Sequence, residues 1–259
     1  MSLTLTYGVC SHVGRVRANN EDAGYASRQV LAVADGVGGN AAGEVASALA
    51  ITAITSLEND VDQDLDTALR ASVLRANHAI HRAVERDPGL EGMATTLTVL
   101  RLLGCHIGLV HVGDSRAYLL RDGRLSQLTR DDTLVQGLVD NGTLTPAEAL
   151  THPQRSVIAR ALKGNWVEPA VWIREPRRGD RYLLCTDGLS DMVCADAIGE
   201  TLRMTNPQGC ADELIELALR GGGRDNVTVI VADVCSSSDS QVAVCPATAV
   251  GASERLPLP

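Results

Sequence analysis

The chain has 259 residues, 45% of them hydrophobic and 21% charged, which excludes wholesale disorder and leads us to expect one large domain. No run of about 18 apolar residues occurs, so no membrane-crossing helix is expected, and the first twenty residues lack the basic start, apolar middle and cleavage site of a secretory leader. A formal net charge of -9 argues against nucleic acid as the main partner, because binding a phosphate backbone needs a basic surface.

Val30 to Ala34 is a short apolar run, read as a buried strand that stops at Asp35-Gly36-Val37-Gly38-Gly39. The apolar positions Ala46, Leu49, Ala50, Ala53, Ile54 and Leu57 share one face and predict a helix over about 43–57. A second helix is predicted over about 67–86, stopped by Pro88-Gly89. The period then changes, and Thr95 to Leu103, His106 to Val112, Ser115 to Arg121 and Arg124 to Leu128 read as four strands. Their short links, at Gly104, Gly113-Asp114 and Asp122-Gly123, predict antiparallel pairing of each with the next.

The stretch 130–164 is polar and mixed, with Thr145 as an N-cap and Pro146 at the first position of a short helix. Strands resume near 170–174 and 181–186. Two helices fall between Ala195 and Leu219, broken by Gly221-Gly222-Gly223, and Asn226 to Val234 is a final strand. Residues 236–259, rich in Ser, Ala, Pro and Gly, are expected to form a flexible tail. Hairpins in the middle and helices in separate blocks predict an α+β fold of two stacked antiparallel sheets with helices outside. With aromatics at 2% and no Phe, the core must be built from Val, Leu, Ile and Ala. The seven Cys form no C-x-x-C pair and most sit in apolar runs, so buried thiols in a reducing cytoplasm are expected, without a zinc site or disulfide framework.

Four acidic residues share one local situation. Asp35, Asp114 and Asp187 follow apolar strands, Asp225 precedes one, and each lies at a turn or beside glycine. A carboxylate at a strand end is rigidly held yet able to face a cleft, and glycine lets a ligand approach the backbone. Any one of them alone reads as an ordinary turn residue. Four converging carboxylates would repel one another without cations between them, and hard ions such as Mg2+ and Mn2+ favour oxygen ligands. Spacing alone leaves both readings open. Arg17, in VGRVRANNED, is either a solvated surface arginine or a phosphate clamp with paired donors.

The runs VGRVRANNEDAG, LAVADGVGGNAAGEVAS, ATTLTV, HVGDSRAYLLRDGRLSQLTRDD, HPQRSVIARAL, GDRYLLCTDGLSD and GRDNVTVIV occur in this order. Together, over about residues 7 to 234, they resemble the PPM (type 2C) metal-dependent Ser/Thr protein phosphatases in their compact bacterial form. The resemblance implies an α-β-β-α sandwich with a catalytic domain over 1–235 and a flap over about 130–164. It implies hydrolysis of phosphoserine and phosphothreonine, a phosphoric monoester hydrolase activity that uses Mn2+ or Mg2+ and a water bridging two ions. Carried over residue by residue, Asp35 would bridge the two central ions and the Gly36 carbonyl would bind one of them. Asp187 and Asp225 would bind metal, Asp114 with Asp187 would hold a third ion, Arg17 would grip the phosphate, and Glu21 and Asp22 would act through metal-bound waters. No phosphoenzyme is needed, so Cys185 is expected to be packing. The implied partners are phosphorylated proteins, Ser/Thr kinases and their substrates, and a monomer is expected. Some bacterial relatives carry a membrane helix after the catalytic domain, so a soluble member and a fragment are both open readings.

The chain departs from the family pattern at a few positions. Asn40 stands where many bacterial members have His, Asp131-Asp132-Thr133 replaces Asp-His-Ser, and Val37 occupies the place of the animal-type His proposed as general acid. The proton donor to the leaving group is therefore unassigned. Retention of all four metal-type carboxylates favours an active enzyme over a silent, binding member of the fold. A binuclear hydrolase of small phosphate esters shares the same site chemistry. A dinucleotide fingerprint at Gly36–Ala41 is set aside because Asp35 would face the pyrophosphate. The Asp60, Asp62, Asp64, Asp66 series mimics a calcium loop but lacks its glycine and closing Glu.

Overall fold

The computed structural model describes residues 2–37, 42–60, 64–238 and 246–255. In chain order the strands are β1 (Leu3–His12), β2 (Asp22–Ala26), β3 (Val30–Val37), β4 (Ala94–Thr95), β5 (Leu97–Leu103), β6 (His106–Val112), β7 (Arg116–Arg121), β8 (Arg124–Gln127), β9 (Ala170–Arg174), β10 (Arg181–Cys185), β11 (Val227–Ser236) and β12 (Thr248–Gly251). The helices are α1 (Gly43–Thr55), α2 (Leu65–Arg86), α3 (Leu134–Asp140), α4 (Pro146–Thr151), α5 (Asp187–Ser190), α6 (Ala195–Thr201) and α7 (Pro207–Arg220).

The strands form two antiparallel sheets, ordered β1-β11-β10-β7-β8 and β12-β2-β3-β5-β6-β9, with β4 pairing β3. Leu31, Val33, Leu100 and Leu109 of one sheet meet Leu5, Leu119, Leu184 and Ile230 of the other, so aliphatic side chains fill the space between them. The outer face of the first sheet packs under α6 and α7 through Ile198, Leu214 and Val229. The outer face of the second packs under α1 and α2 through Ile51, Leu69 and Val99. The expected α-β-β-α sandwich is therefore the observed fold. Its helix starts follow the anticipated capping logic: Thr145 and Glu148 form a capping box at α4, and Asp64 accepts from the Thr67 amide at the start of α2.

Several expectations are corrected. The short Gly113-Asp114-Ser115 link does not make a hairpin: β6 and β7 lie in different sheets, and the chain crosses the sandwich at Asp114. Shortness fixes a reversal of direction, but here Gly113, at φ 111°, and the hydroxyl bonds of Ser115 turn the chain across the layers instead of along one. β1 and β2 were not anticipated. β2 (DAGYA) is wholly buried yet carries no β-branched residue, so it lacks a composition signal. The described part of 236–259 does not form a free tail, because β12 pairs with β2 and residues 252–255 form a short 3₁₀ turn against α1. Asn40 and Asp62 lie outside the described residues. Of the described cysteines, Cys185 and Cys210 are buried but Cys105 and Cys194 are exposed, Cys105 because its apolar run is interrupted by the hairpin turn. Asp60 and Asp66 pair with Arg75 and Arg70, which gives the calcium-like series a structural role.

Candidate active site

One end of the sandwich gathers the singled-out carboxylates. Asp22 and Asp35 are cross-strand neighbours in β2 and β3. β10 delivers Asp187 at the first position of α5, and Asp225 precedes β11, the neighbour of β10. Asp114 sits at the crossover from the opposite sheet. The segment ATTLTV locks these parts together. The Asp35 amide donates to Thr96 Oγ1 (2.9 Å), Thr95 Oγ1 donates to the Asp35 carbonyl (2.8 Å), and the Thr96 hydroxyl shares a hydrogen bond with Ser115 (2.7 Å) beside Asp114. At Gly36 a side chain is sterically barred: a Cβ would lie 2.3 Å from the Gly43 carbonyl oxygen and 2.6 Å from that of Glu21.

The carboxylates strain one another electrostatically. Burial first, then Asp187 and Asp131, pushes Asp114 up to about 8. Burial pushes Asp22 up to about 7, opposed by hydroxyl bonds from Thr186 and Thr228. Asp187 rises to about 6, mainly through burial and then through Asp191 and Asp225. Asp35 is raised well above the usual carboxylate range by burial, with Asp22 and Asp187 adding to it. Two carboxylate oxygens, Asp22 Oδ1 and Asp114 Oδ1, are buried without a hydrogen-bond partner among the described residues. Such oxygens are costly unless a cation meets them, so the donor set fits hard divalent ions. Among the described residues no group of three or more His, Cys, Asp and Glu side chains is gathered tightly enough to hold an ion alone. An ion here would complete its shell with water and backbone oxygen, as Mg2+ does on one or two carboxylates.

Arg17 lies at the mouth, about half exposed, with Nη2 donating to Asp225 Oδ2 at 2.7 Å. Glu21 is raised by burial and by Glu44. Burial pushes the Cys185 thiol up to about 12, which suits the packing role expected of it. Beside these lies a cavity of about 550 Å³ that runs from Asp114 and Asp187 to Val135, Val139 and Leu150 of α3 and α4.

Sequence reasoning missed several supporting residues. Asn226 Nδ2 donates to the Val13 and Asn19 carbonyls (2.9 and 2.8 Å), while its Oδ1 accepts from the Glu21 amide (2.8 Å), so it holds both ends of the Arg17 loop. Thr186 Oγ1 donates to Asp22 Oδ2 (2.8 Å) and accepts from the Thr228 amide (2.9 Å). The available signal was a polar residue set between a site carboxylate and an apolar strand, as Asn226 is.

Residues 12–220 match the family model described as protein phosphatase 2C. The chain belongs to the protein phosphatase 2C family. It is 55% identical over its whole length to the serine/threonine protein phosphatase PstP of Mycobacterium tuberculosis, but it spans about half the length (51%) of that relative. It is 34% identical to the serine/threonine phosphatase stp of Listeria monocytogenes, covering 85% of this chain and 92% of that one. A crystal structure of the PstP catalytic domain in complex with two manganese ions is 55% identical and superposes with a TM-score of 0.85, covering 91% of this chain and all (100%) of that one. No helix among the described residues is long and apolar enough to cross a membrane.

Proposed function

We propose that this 2C-family chain is a protein serine/threonine phosphatase that hydrolyses phosphoserine and phosphothreonine with Mn2+ or Mg2+. The observation that carries the reading is the mutual strain of Asp22, Asp35, Asp114 and Asp187, two of them with orphaned buried oxygens, at one mouth beside Arg17. The manganese complex of the PstP catalytic domain supports the choice of cation. When bound, such ions supply Lewis-acid activation of a water and offset charge at phosphorus.

In this reading Asp35, the Gly36 carbonyl, Asp187 and Asp225 would hold the two central ions. Asp114 with Asp187 holds a third, and Glu21 and Asp22 act through water. Arg17 presents paired donors to the non-bridging phosphate oxygens. Its ion pair with Asp225 keeps the guanidinium at the mouth. Buried Thr186 and Thr95 fix the carboxylate-bearing strand ends, so the site is preorganised instead of assembled by the substrate. The natural substrates in this reading are phosphorylated proteins, with the chain acting as a cytoplasmic monomer that opposes Ser/Thr kinases.

The test is phosphate release from a phosphothreonine peptide with Mn2+, set against small sugar and nucleotide phosphates. Asp187→Asn or Asp225→Asn is expected to reduce peptide turnover by about 10³-fold or more. Rates near wild type in either variant would overturn the ligand assignment. Preference for the small esters would move the substrate class, and no metal-dependent release from any of them would favour a silent member of the fold.

A further inference from the structure

The family match ends at residue 220, yet residues 246–255 return to the sandwich and seat themselves behind the carboxylate cluster. β12 adds to the edge of β2, with Thr248 opposite Ala26, Val250 opposite Gly24 and Gly251 opposite Ala23. The seat is shaped for it. A Cβ on Gly24 would come within 2.9 Å of Val250 Cγ2. Gly251, at φ 67°, lies so close to β2 that a Cβ would meet the Asp22 carbonyl oxygen at 2.3 Å and Ser11 Oγ at 3.1 Å. Ser253 is buried and its hydroxyl donates to the Gly24 carbonyl (3.0 Å) and to the Val250 carbonyl (2.7 Å). Ala252 joins the hydrophobic cluster under α1, and Tyr7 Oη donates to the Pro246 carbonyl.

The residues that this segment touches are those that hold the site. Ser11 Oγ accepts from Asn20 Nδ2 (2.9 Å), and the Asp22 amide donates to Asn20 Oδ1 (3.2 Å). The Gly251 end therefore presses on the Asn20–Asp22 turn from outside. Asp22 faces the cluster on the other side, between Thr186 and Thr228. Gly251, Ala252 and Glu254 also help to line a cavity of about 760 Å³, together with Glu44 and Leu49 of α1 and with Val13 and Ala18 to Asn20, which flank Arg17 in the chain.

We propose that residues 246–255 are a positioning strap of the catalytic unit: by closing the edge of β2 and bracing the Asn20–Asp22 turn, they set Asp22 and the Arg17 loop for cation and phosphate binding. The proposal rests on the phosphatase reading for its catalytic consequence. It goes beyond that reading in extending the working unit past β11, to residue 255. Gly251 and Ser253 act through β2 and touch no reacting atom. Support beyond the direct ligands commonly governs metal affinity by 10–100-fold, and the strap is one layer further out.

The test uses the full chain with Val250→Asp and Ser253→Asp together, which places two carboxylates in the apolar seat and expels the strap. Ser253→Ala, which removes only the two hydroxyl bonds, is the milder companion should the double variant fold poorly. Three quantities are read: Mn2+ affinity by titration calorimetry, amide hydrogen exchange over 20–26, and kcat and KM on a phosphothreonine peptide. Expelling the strap is expected to weaken Mn2+ binding about tenfold, to speed exchange over 20–26 and to raise KM, with little change in the melting temperature of the main transition. A synthetic peptide of residues 246–255 added in trans is expected to restore Mn2+ affinity, which a general loss of stability would not allow. Wild-type Mn2+ affinity and kinetics in a variant whose exchange shows the strap released would overturn the proposal. If the unaltered chain neither binds Mn2+ nor releases phosphate, the phosphatase reading falls, and the catalytic role of the strap falls with it.

Discussion

Asn226 shows how much of a site rests on residues that perform no chemistry. Its amide makes three hydrogen bonds to backbone groups of the 13–21 loop, so that loop needs no secondary structure of its own to hold Arg17 at the mouth. Asn226→Ala leaves two carbonyls and one amide without these partners, at a cost of roughly 2–4 kcal/mol. The expected outcome is a melting temperature lower by roughly 5–10 °C, together with a raised KM for phosphopeptide, because the guanidinium loses its anchor. Calorimetry and steady-state kinetics on one preparation check both. At this scale the sequence singled out Asp35, Asp187 and Asp225 as acids that recur beside apolar runs, and the ordered motifs gave them their implied role. It was silent about Asn226, which looks like any turn residue until its partners, some 205 positions away or more, are seen.

The elements that carry the site differ in how plainly their residues announce them. β3, β5 and β11 are continuous apolar runs and could be read directly. β2 could not, because small residues pack there against α1 and β12 and β-propensity has no hold on it. The base of the segment 130–164 is a second case. Asp132, which stands where the family pattern has His, accepts from the Gly113 amide (3.1 Å) and from Arg160, while its own amide donates to the Gly113 carbonyl (2.7 Å). Next to it Arg116 grips Asp131 with both Nε and Nη2. The departure at Asp132 is thus a latch tying the start and end of the segment 130–164 to the crossover that bears Asp114. Asp132→Ala is expected to lower kcat/KM for a phosphopeptide by about tenfold, the rate effect of losing roughly 1–2 kcal/mol of positioning. It is expected to change turnover of a small aryl phosphate much less, and a parallel assay of the two substrates checks this. An equal loss on both substrates would argue against a flap-specific role.

At the scale of the whole molecule, the charge that first served to exclude nucleic acid has a location. Asp22 and Asp114, raised to about 7 and about 8, bind protons in the folded chain at pH values where the unfolded chain has released them. The folded state therefore carries more protons between about pH 4 and pH 8. Stability contributed by these groups is complete below their ordinary pKa and is lost as pH rises through the raised values. With chelator present, this part of the stability is expected to decline from pH 5 to pH 8. Mn2+ competes with those protons, so the rise in melting temperature that it causes is expected to be largest at pH 8 and small at pH 5. Thermal melts with and without Mn2+ across that range check the sign, and a Mn2+ effect that is flat or reversed with pH would remove the cation from these carboxylates.

The sequence by itself determined the layered α+β class and the position of most strands and helices, and it singled out the carboxylates that the fold then gathers. Those features are written in local periodicity, in turn chemistry and in an ordered set of motifs. Tertiary structure alone decided that β6 and β7 part into different sheets at Asp114, that β2 is a strand, that Asp132 ties the segment 130–164 to Gly113 and that residues 246–255 pair along the edge of β2. Each of these depends on contacts between residues far apart in the chain. In each case the local residues are glycine, small or polar, and are compatible with several conformations until a distant partner selects one.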